Sequence, residues 1–155
     1  MTKPKAHAGF RIPAPTLTLI HITIAILLGR FAPLPIPAPA FVQMLGLGFA
    51  AFGFVLGILA LFEFRRVRTA PTSKKPTIRL VTSGIYRYTR NPIYLGFVLM
   101  LVGLPLSMGT YWGVILIWPL VTVTNNLIIN HEETYLKKEF TDQYVDYSSR
   151  VRRWL

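Results

Sequence analysis

Two polar motifs in this chain carry residue types that can bind a charged ligand, and a long apolar stretch separates them. The first motif covers residues 80–96 and is rich in tyrosine and arginine, whereas the second begins at residues 131–133 with His-Glu-Glu. About 35 mostly apolar residues lie between the two, enough to cross a bilayer and return. We therefore expect the motifs to meet at one membrane surface and to form a binding site there.

The paired carboxylates Glu132 and Glu133 follow directly after the last apolar stretch. A carboxylate at the edge of the hydrocarbon layer is costly unless it has a partner. One interpretation is that either glutamate holds a cationic or hydroxylated ligand; the other is that both are helix-surface charges, with Glu133 paired to Lys137. If the site binds an amine that must lose a proton to react, Glu133, His131 or a tyrosine could accept that proton. No metal site is predicted, since no second histidine stands at helical spacing from His131.

Asn91 and Pro92 are residue types that begin a helix, because asparagine caps the first turn and proline fits its first position. The free backbone N–H groups of such a turn can bind an anion, for example a ligand carboxylate. A well-capped membrane helix would explain these two residues without any ligand. It does not explain the tyrosines around them or Arg90, for which the alternative is an aromatic and positively charged membrane interface.

The composition places these motifs in a membrane protein. The chain has 155 residues, of which 52% are hydrophobic and 15% are charged, whereas a soluble domain carries about 25% charged residues. Its length suits one domain, residues 1–155. The absence of cysteine excludes disulfides and thiolate chemistry. The net charge of +11 is assigned to membrane topology and anionic lipid headgroups, not to nucleic acid.

The apolar runs predict an all-α, polytopic fold with about four transmembrane helices and an amphipathic cytoplasmic helix in the C-terminal tail. The spans are expected at about residues 17–31, 41–64, 93–107 and 111–129. With four spans, 16 of the 17 basic residues lie on one side, which predicts that both termini are cytoplasmic. An Ala-Pro-Ala sequence at residues 38–40 has the form of a signal-peptidase site, but the long lead before it favours a retained helix. Short spans and few loops favour a prokaryotic inner membrane.

The tail shows helical spacing of apolar residues. The amphipathic face consists of Leu136, Phe140, Tyr144, Tyr147 and Val151. Such a helix could lie on the membrane or fold over residues 78–94.

The second span carries small residues and one acidic residue. Gly46 and Gly48 favour close helix packing, although they could instead open room for a flat ligand. Glu63, near the end of this span, is expected to pair with Arg66 or with another arginine of the following loop.

The motifs resemble those of the isoprenylcysteine carboxyl methyltransferase and phospholipid methyltransferase superfamily of integral membrane enzymes. The resemblance covers roughly residues 41–155 and depends on a combination: Leu-Val-Thr-Ser-Gly-x-Tyr from residue 80, Arg-Asn-Pro-x-Tyr-x-Gly from residue 90, Glu-Glu at 132–133, and Phe-x-x-x-Tyr-x-x-Tyr from residue 140. It implies methyl transfer from S-adenosylmethionine (SAM), with S-adenosylhomocysteine as the product. The implied acceptor is lipophilic: an isoprenylcysteine-like carboxylate, a phospholipid amine or another small lipophile.

If the resemblance holds, the family's cofactor-binding positions fall in residues 78–96 and 130–153. They are Ile78, Arg79, Leu80, Val81, Tyr86, Asn91, Pro92, Ile93, Tyr94 and Glu132, with Gly46 and Gly48 as the match to a Gly-x-Gly of the phospholipid branch. These groups suit SAM, because a helix N-terminus can bind its carboxylate and Glu132 can bind an amino or hydroxyl group. Tyrosine rings can surround the sulfonium.

The chain departs from the family's patterns at several positions. Asn91 replaces the histidine of Arg-His-Pro, and Thr141 replaces a glycine that follows phenylalanine. Residues 125–129 lack the arginine that contacts substrate in the prenylcysteine enzymes. Asn125 or Asn126 could therefore face a different acceptor, and Asn126 joins Glu133 and His131 as a candidate catalytic residue.

Two other functions stay open. One is an NADPH-dependent membrane reductase related to sterol reductases, which the short chain disfavours. The other is a non-enzymatic membrane subunit that keeps the fold. Apart from membrane lipids and a lipophilic substrate, no partner is predicted, and the oligomeric state is left open.

Overall fold

Helices make up most of the structure, a computed structural model that describes residues 13–69 and 79–155. The α-helices are α1 (Ala14–Phe31), α2 (Ala40–Arg66), α3 (Pro92–Ser107), α4 (Trp112–Ile115), α5 (Ile117–Thr124) and α6 (Asn130–Arg150). A 3₁₀ turn (Gly84–Arg87) precedes α3, and a π-helical turn (Asn125–Ile129) joins α5 to α6. The predicted all-α fold is confirmed over the described part of the chain.

The long helices are apolar on their outward faces as well as inside the bundle. The helices α1 and α2 and the helical run Trp112–Arg150 are each long and apolar enough to cross a membrane, and α3 is a shorter apolar helix of 16 residues. Large side chains such as Phe41, Phe52 and Trp118 have more than half of their surface exposed. A helix that is apolar all round is typical of a membrane span. The chain is an integral membrane protein, with three to four helices that can span.

Two glycine pairs bring α2 and α3 into backbone contact. Gly46 lies against Gly103 and Gly53 lies against Gly96, so each helix presents glycines seven residues apart to its antiparallel neighbour. A Cβ atom added to Gly103 would lie 2.3 Å from the backbone nitrogen of Ala50. Such close approach through small residues is typical of helix pairs in membranes. The packing role predicted for both Gly46 and Gly48 is therefore confirmed for Gly46 and wrong for Gly48, where an added Cβ would meet nothing within 4 Å.

The remaining helices pack on this pair. A cluster of buried side chains joins α1, α3 and α5: Leu17, Ile22, Ala25, Leu101 and Leu120. Nε1–H of Trp112 donates a hydrogen bond to the carbonyl oxygen of Ala32 at 2.9 Å, and the Tyr111 hydroxyl donates one to Pro37 at 3.2 Å. These bonds hold the proline-rich connector before α2 against the start of α4.

The last helical run differs from the prediction, which ended a span at residue 129 and placed a separate helix in the tail. The chain stays helical into α6, because residues 120–150 contain neither glycine nor proline. At the π-helical turn, the N–H of Asn130 donates to the carbonyl oxygen of Asn125, five residues back. At Thr141, φ is 36° and ψ is −107°, values outside the helical region, so α6 consists of two helical segments joined by a bend. The bend interrupts the amphipathic face predicted from Leu136 to Val151. Beyond the bend Tyr144 and Tyr147 are buried, so the tail folds over the first motif.

Gly103→Ala is expected to destabilise the α2–α3 pair. The added methyl group would overlap with the backbone of Ala50, and overpacking of this kind costs about 1–3 kcal/mol of unfolding free energy. The measurement is the unfolding temperature of detergent-solubilised protein. Gly57→Ala is the matched control, because a Cβ there meets nothing within 4 Å. Equal stability of the two variants would contradict the backbone contact.

Thr141→Gly is expected to stabilise the protein. A β-branched residue at φ 36° is strained by its own side chain, whereas glycine adopts positive φ without that cost. Relief of the strain should raise the unfolding free energy by about 1 kcal/mol, seen as a higher unfolding temperature. Thr134→Gly, at an exposed position of α6 without positive φ, should lower it. A loss of stability in Thr141→Gly would show that the bend is not strained.

Candidate active site

The two motifs meet at one end of the helix bundle, as their spacing predicts. This end is formed by the last turn of α2, the 3₁₀ turn, the first turn of α3, and α6. Side-chain hydrogen bonds run between the motifs: Tyr94 to Glu132, Arg90 to Tyr144, and Tyr147 to the carbonyl oxygen of Tyr86.

A hydrogen bond between Tyr94 and Glu132 joins the first turn of α3 to the first turn of α6. The Tyr94 hydroxyl lies 3.0 Å from Oε1 and 2.9 Å from Oε2 of Glu132. Both residues are half-buried. The carboxylate is thus linked to the start of α3 through the Tyr94 side chain. It is partly shielded from solvent, where its charge acts more strongly than in open water.

The first turn of α3 keeps backbone N–H groups that its cap residue does not bind. Asn91 occupies the N-cap position, as predicted, but its side chain makes no capping hydrogen bond. Its Nδ2 donates instead to the carbonyl oxygen of Arg153 at 2.9 Å, so the predicted side-chain cap is wrong. The N–H groups of Ile93 and Tyr94 therefore lack this acceptor, and the helix dipole favours an anion beside them.

Glu133 has 8% of its surface exposed and lies between two arginines. Arg153 binds it in a bidentate manner, with Nε 3.1 Å from Oε1 and Nη2 2.6 Å from Oε2. Nη1 of Arg90 lies 3.3 Å from Oε1 and donates to the Tyr144 hydroxyl at 3.2 Å. The predicted surface pair of Glu133 with Lys137 is wrong, because the carboxylate turns into the protein.

The end of the chain also binds the first motif through its backbone. The carbonyl oxygen of Arg152 accepts the N–H of Arg90 at 3.0 Å, and that of Arg153 accepts the Thr89 hydroxyl at 3.2 Å. Sequence reasoning missed this role of Arg153, because a tail arginine in a basic chain has the form of a topology signal. Its separation of 20 residues from Glu133 matches no local helical spacing.

Glu63, near the end of α2, fixes the 3₁₀ turn. The Ser83 hydroxyl donates to its Oε2 at 2.6 Å, and Nη1 of Arg66 lies 3.8 Å from its Oε1, which confirms the predicted pair. Gly84 has φ 57°, and a Cβ there would overlap with the Glu63 carboxylate. This turn therefore requires glycine for its backbone angle and for its contact.

Tyr86 is buried at the same end of the bundle. Its ring packs edge-on against Phe64, with 5.6 Å between the ring centroids. Burial raises the pKa of Tyr86 far above its ordinary value, and the nearby Tyr147, Glu132 and Glu63 raise it further. The hydroxyl therefore stays protonated at neutral pH, as a neutral group close to the Glu132 carboxylate.

Two predicted cofactor residues lie far from this end. Gly46 is 17 residues before Glu63 in α2, which is about 25 Å along the helix axis. Gly46 is occupied by helix packing, and Gly48 is exposed with open space around it. The structure does not bring either glycine to the Tyr94–Glu132 pair.

The other predicted residues differ in their exposure. Val81 is buried in a cluster with Ala60 and Tyr86, and Leu80 is half-buried. The exposed predicted residues are Arg79, Asn126 and His131. Ile78 lies outside the described residues. Pro92 is buried at the start of α3.

Comparison with known proteins relates the chain to methyltransferases. The family model described as phospholipid methyltransferase matches residues 41–143. Protein-S-isoprenylcysteine O-methyltransferase of Schizosaccharomyces pombe is 35% identical over 72 residues, which cover 46% of this chain and 30% of that protein. Protein-S-isoprenylcysteine O-methyltransferase B of Arabidopsis thaliana is 35% identical over 79 residues, which cover 47% and 37%.

A third relative is an uncharacterised protein of Haemophilus influenzae, 39% identical over 66 residues that cover 41% of this chain and 100% of that protein. The matched region spans about a third of the length of the two named methyltransferases. No solved structure matches.

Glu133→Gln is expected to destabilise the protein by about 3 kcal/mol, because it leaves two partly buried guanidinium groups without their counter-charge. The measurement is thermal unfolding in detergent at low and high salt. Asp146→Asn is the matched control: it removes a pair with Arg150 whose side chains are 66% and 70% exposed, and it should cost less than about 1 kcal/mol. Equal losses in the two variants would contradict a structural role of the buried pair.

Proposed function

Because the chain belongs to the phospholipid methyltransferase family, we propose that it is a membrane methyltransferase that takes its methyl group from SAM and passes it to a lipophilic acceptor. The named relatives are larger proteins, so the activity of this chain is inferred from its own residues as well as from the family. The resemblance stated from the motifs is confirmed at the level of the family. Residues 1–155 would form one methyltransferase domain.

The observation that carries the proposal is the pairing of a fixed carboxylate with an uncapped helix start. Glu132 is bonded to the hydroxyl of Tyr94, a residue of the first turn of α3, where Asn91 does not cap the backbone. Tyr94 thus links an acceptor for cations, at the end of its side chain, to a donor set for anions in its own backbone turn. A zwitterionic amino-acid group needs both.

The residues present fit SAM. The N–H groups of Ile93 and Tyr94 would bind the carboxylate of its methionine part, and Glu132 would bind the ammonium or a ribose hydroxyl. The buried Tyr86 and the half-buried Tyr94 offer aromatic rings to a positive charge. When bound, SAM supplies an electrophilic methyl group on a cationic sulfur. Positioning of the acceptor beside that methyl group would supply most of the rate acceleration.

The candidate catalytic residues receive different roles in this proposal. Both oxygens of Glu133 are engaged by guanidinium groups, so we assign it to holding the site together. His131 is exposed at the start of α6, and proton uptake by this residue stays a prediction. A carboxylate acceptor would need no base, whereas an ammonium acceptor would first lose a proton.

The site end of the bundle is proposed to be cytoplasmic. Exposed basic residues cluster at this end: Arg65, Arg66, Arg68, Arg79, Arg87, Lys137, Lys138, Arg150 and Arg152. Such asymmetry is the signature of the cytoplasmic side, and it fits a prokaryotic inner membrane with both termini inside. The acceptor would reach the site from the bilayer, between helices.

Glu132→Gln is expected to weaken binding of SAM and S-adenosylhomocysteine by at least about tenfold, since a hydrogen bond to a charged group contributes roughly 1.5–3 kcal/mol. The measurement is calorimetric titration of folded, detergent-purified protein, with NADPH as the comparison ligand. Glu139→Gln is the matched control, because Glu139 is exposed on the same helix. Unchanged affinity in Glu132→Gln would refute the placement of the site. Binding of NADPH in place of SAM would favour a reductase.

A further inference from the structure

Within the described residues, one buried polar atom in the apolar part of the bundle has no hydrogen-bond partner. Oδ1 of Asn125 is buried, and within residues 13–69 and 79–155 no hydrogen-bond donor reaches it. Asn125 opens the π-helical turn, and its own backbone carbonyl accepts the N–H of Asn130. The backbone carbonyl of Asn125 thus has a partner, whereas its buried side-chain oxygen has none.

A buried polar atom without a partner calls for an explanation, because it has lost its water and gained nothing in return. The penalty is sharper in a bilayer, where polar side chains are rare and face the bundle interior or a functional site. A π-helical turn also shifts the residues that follow it, and such turns occur often at functional sites. An asparagine with a purely structural role would be bonded to a neighbouring helix, and Oδ1 of this one is not.

The position of Asn125 relates it to the cofactor site. Steps of four residues lead from Asn125 to Ile129 and Glu133, both of which are buried, so the three share the inward side of the last helical run. Ile128, in the same turn, packs against the core cluster that contains Leu101 of α3. Asn125 precedes Glu132 by seven residues, which is about 10 Å along the axis toward the middle of the bundle.

We propose that Asn125 is the residue that recognises the methyl acceptor. Its Oδ1 would accept a hydrogen bond from an N–H or O–H of the acceptor's polar head, below the SAM site. This inference rests on the proposed function and names a specificity residue for it. Asn126, the alternative from the sequence, is exposed and so has no buried polar atom that needs a partner.

The chemistry of the site favours a neutral, hydrogen-donating head over an ionised carboxylate. In the orientation that the Asn125 amide has here, its buried atom is the oxygen, which attracts a donor and repels a carboxylate oxygen. Residues 92–129 contain no lysine or arginine, so this part of the chain offers no cation to an anionic head at that depth. Removal from water also favours the uncharged form of an amine, which leaves its lone pair available to a methyl donor.

The test compares full-length wild-type protein with Asn125→Leu, which has similar volume and no polar atom. Three quantities are measured: the unfolding temperature, the affinity for S-adenosylhomocysteine, and the methylation of two probe acceptors with labelled SAM. The probes are phosphatidylethanolamine, with an amine head, and N-acetyl-S-farnesylcysteine, with a carboxylate head. Asn130→Leu is the matched control, because Asn130 closes the same π-helical turn with an exposed side chain.

The proposal predicts that Asn125→Leu unfolds at the same or a higher temperature, binds S-adenosylhomocysteine within about twofold of wild type, and raises KM for phosphatidylethanolamine at least about tenfold, in line with the loss of one hydrogen bond. Asn130→Leu should keep the wild-type KM.

A lower unfolding temperature or failure to fold in Asn125→Leu would show that the amide is structural and would overturn the proposal. So would an unchanged KM, or a wild-type protein that methylates only the carboxylate probe or neither probe while binding SAM. Absence of SAM binding in the wild type would instead overturn the proposed function on which the inference rests.

Discussion

The ion pair of Glu133 with Arg153 and Arg90 is the interaction on which the rest of the site depends. A buried carboxylate at the end of a membrane bundle is tolerated only because two guanidinium groups neutralise it. The pair fixes the end of the chain against the first motif. The carbonyl oxygen of Arg153 accepts a hydrogen bond from Nδ2 of Asn91. The Asn91 side chain therefore faces the end of the chain and does not cap the first turn of α3. This ion pair thus has two effects. It holds the end of the chain against the first motif, and it leaves the backbone N–H groups at the start of α3 without a side-chain cap.

The glycine contacts between α2 and α3 set the frame on which that ion pair acts. Backbone contact at Gly46–Gly103 and Gly53–Gly96 leaves these helices little freedom to slide past each other. The same antiparallel register brings Glu63 at the end of α2 to Ser83 and the 3₁₀ turn. The first motif is therefore anchored from two sides, by a carboxylate of α2 and by a carboxylate of α6. The packing of the membrane helices therefore also fixes the position of the polar site.

Composition and motif spacing were sufficient to predict the helical membrane fold and the meeting of the motifs, because hydrophobic runs and basic loops respond directly to the bilayer. Composition and spacing did not predict contacts that depend on the direction in which a side chain points. Glu133 was expected on the surface beside Lys137, since local spacing gives no sign of Arg153, which approaches from 20 residues away. The continuous helix through Asn125 was also missed, although the lack of glycine and proline there was visible in the sequence. The sequence could not show that Oδ1 of Asn125 has no hydrogen-bond partner, because that depends on how the helices pack around it.

The central claim is that SAM binds between the start of α3 and the start of α6. Hydrogen–deuterium exchange of the detergent-solubilised protein with and without S-adenosylhomocysteine tests it directly, because the backbone amides at the α3 start would themselves be ligand contacts. The account predicts slower exchange in peptides that cover residues 84–96 and 130–153, with residues 40–53 unchanged. Protection confined to residues 40–53, where Gly46 and Gly48 lie, or no protection at saturating ligand, would contradict it.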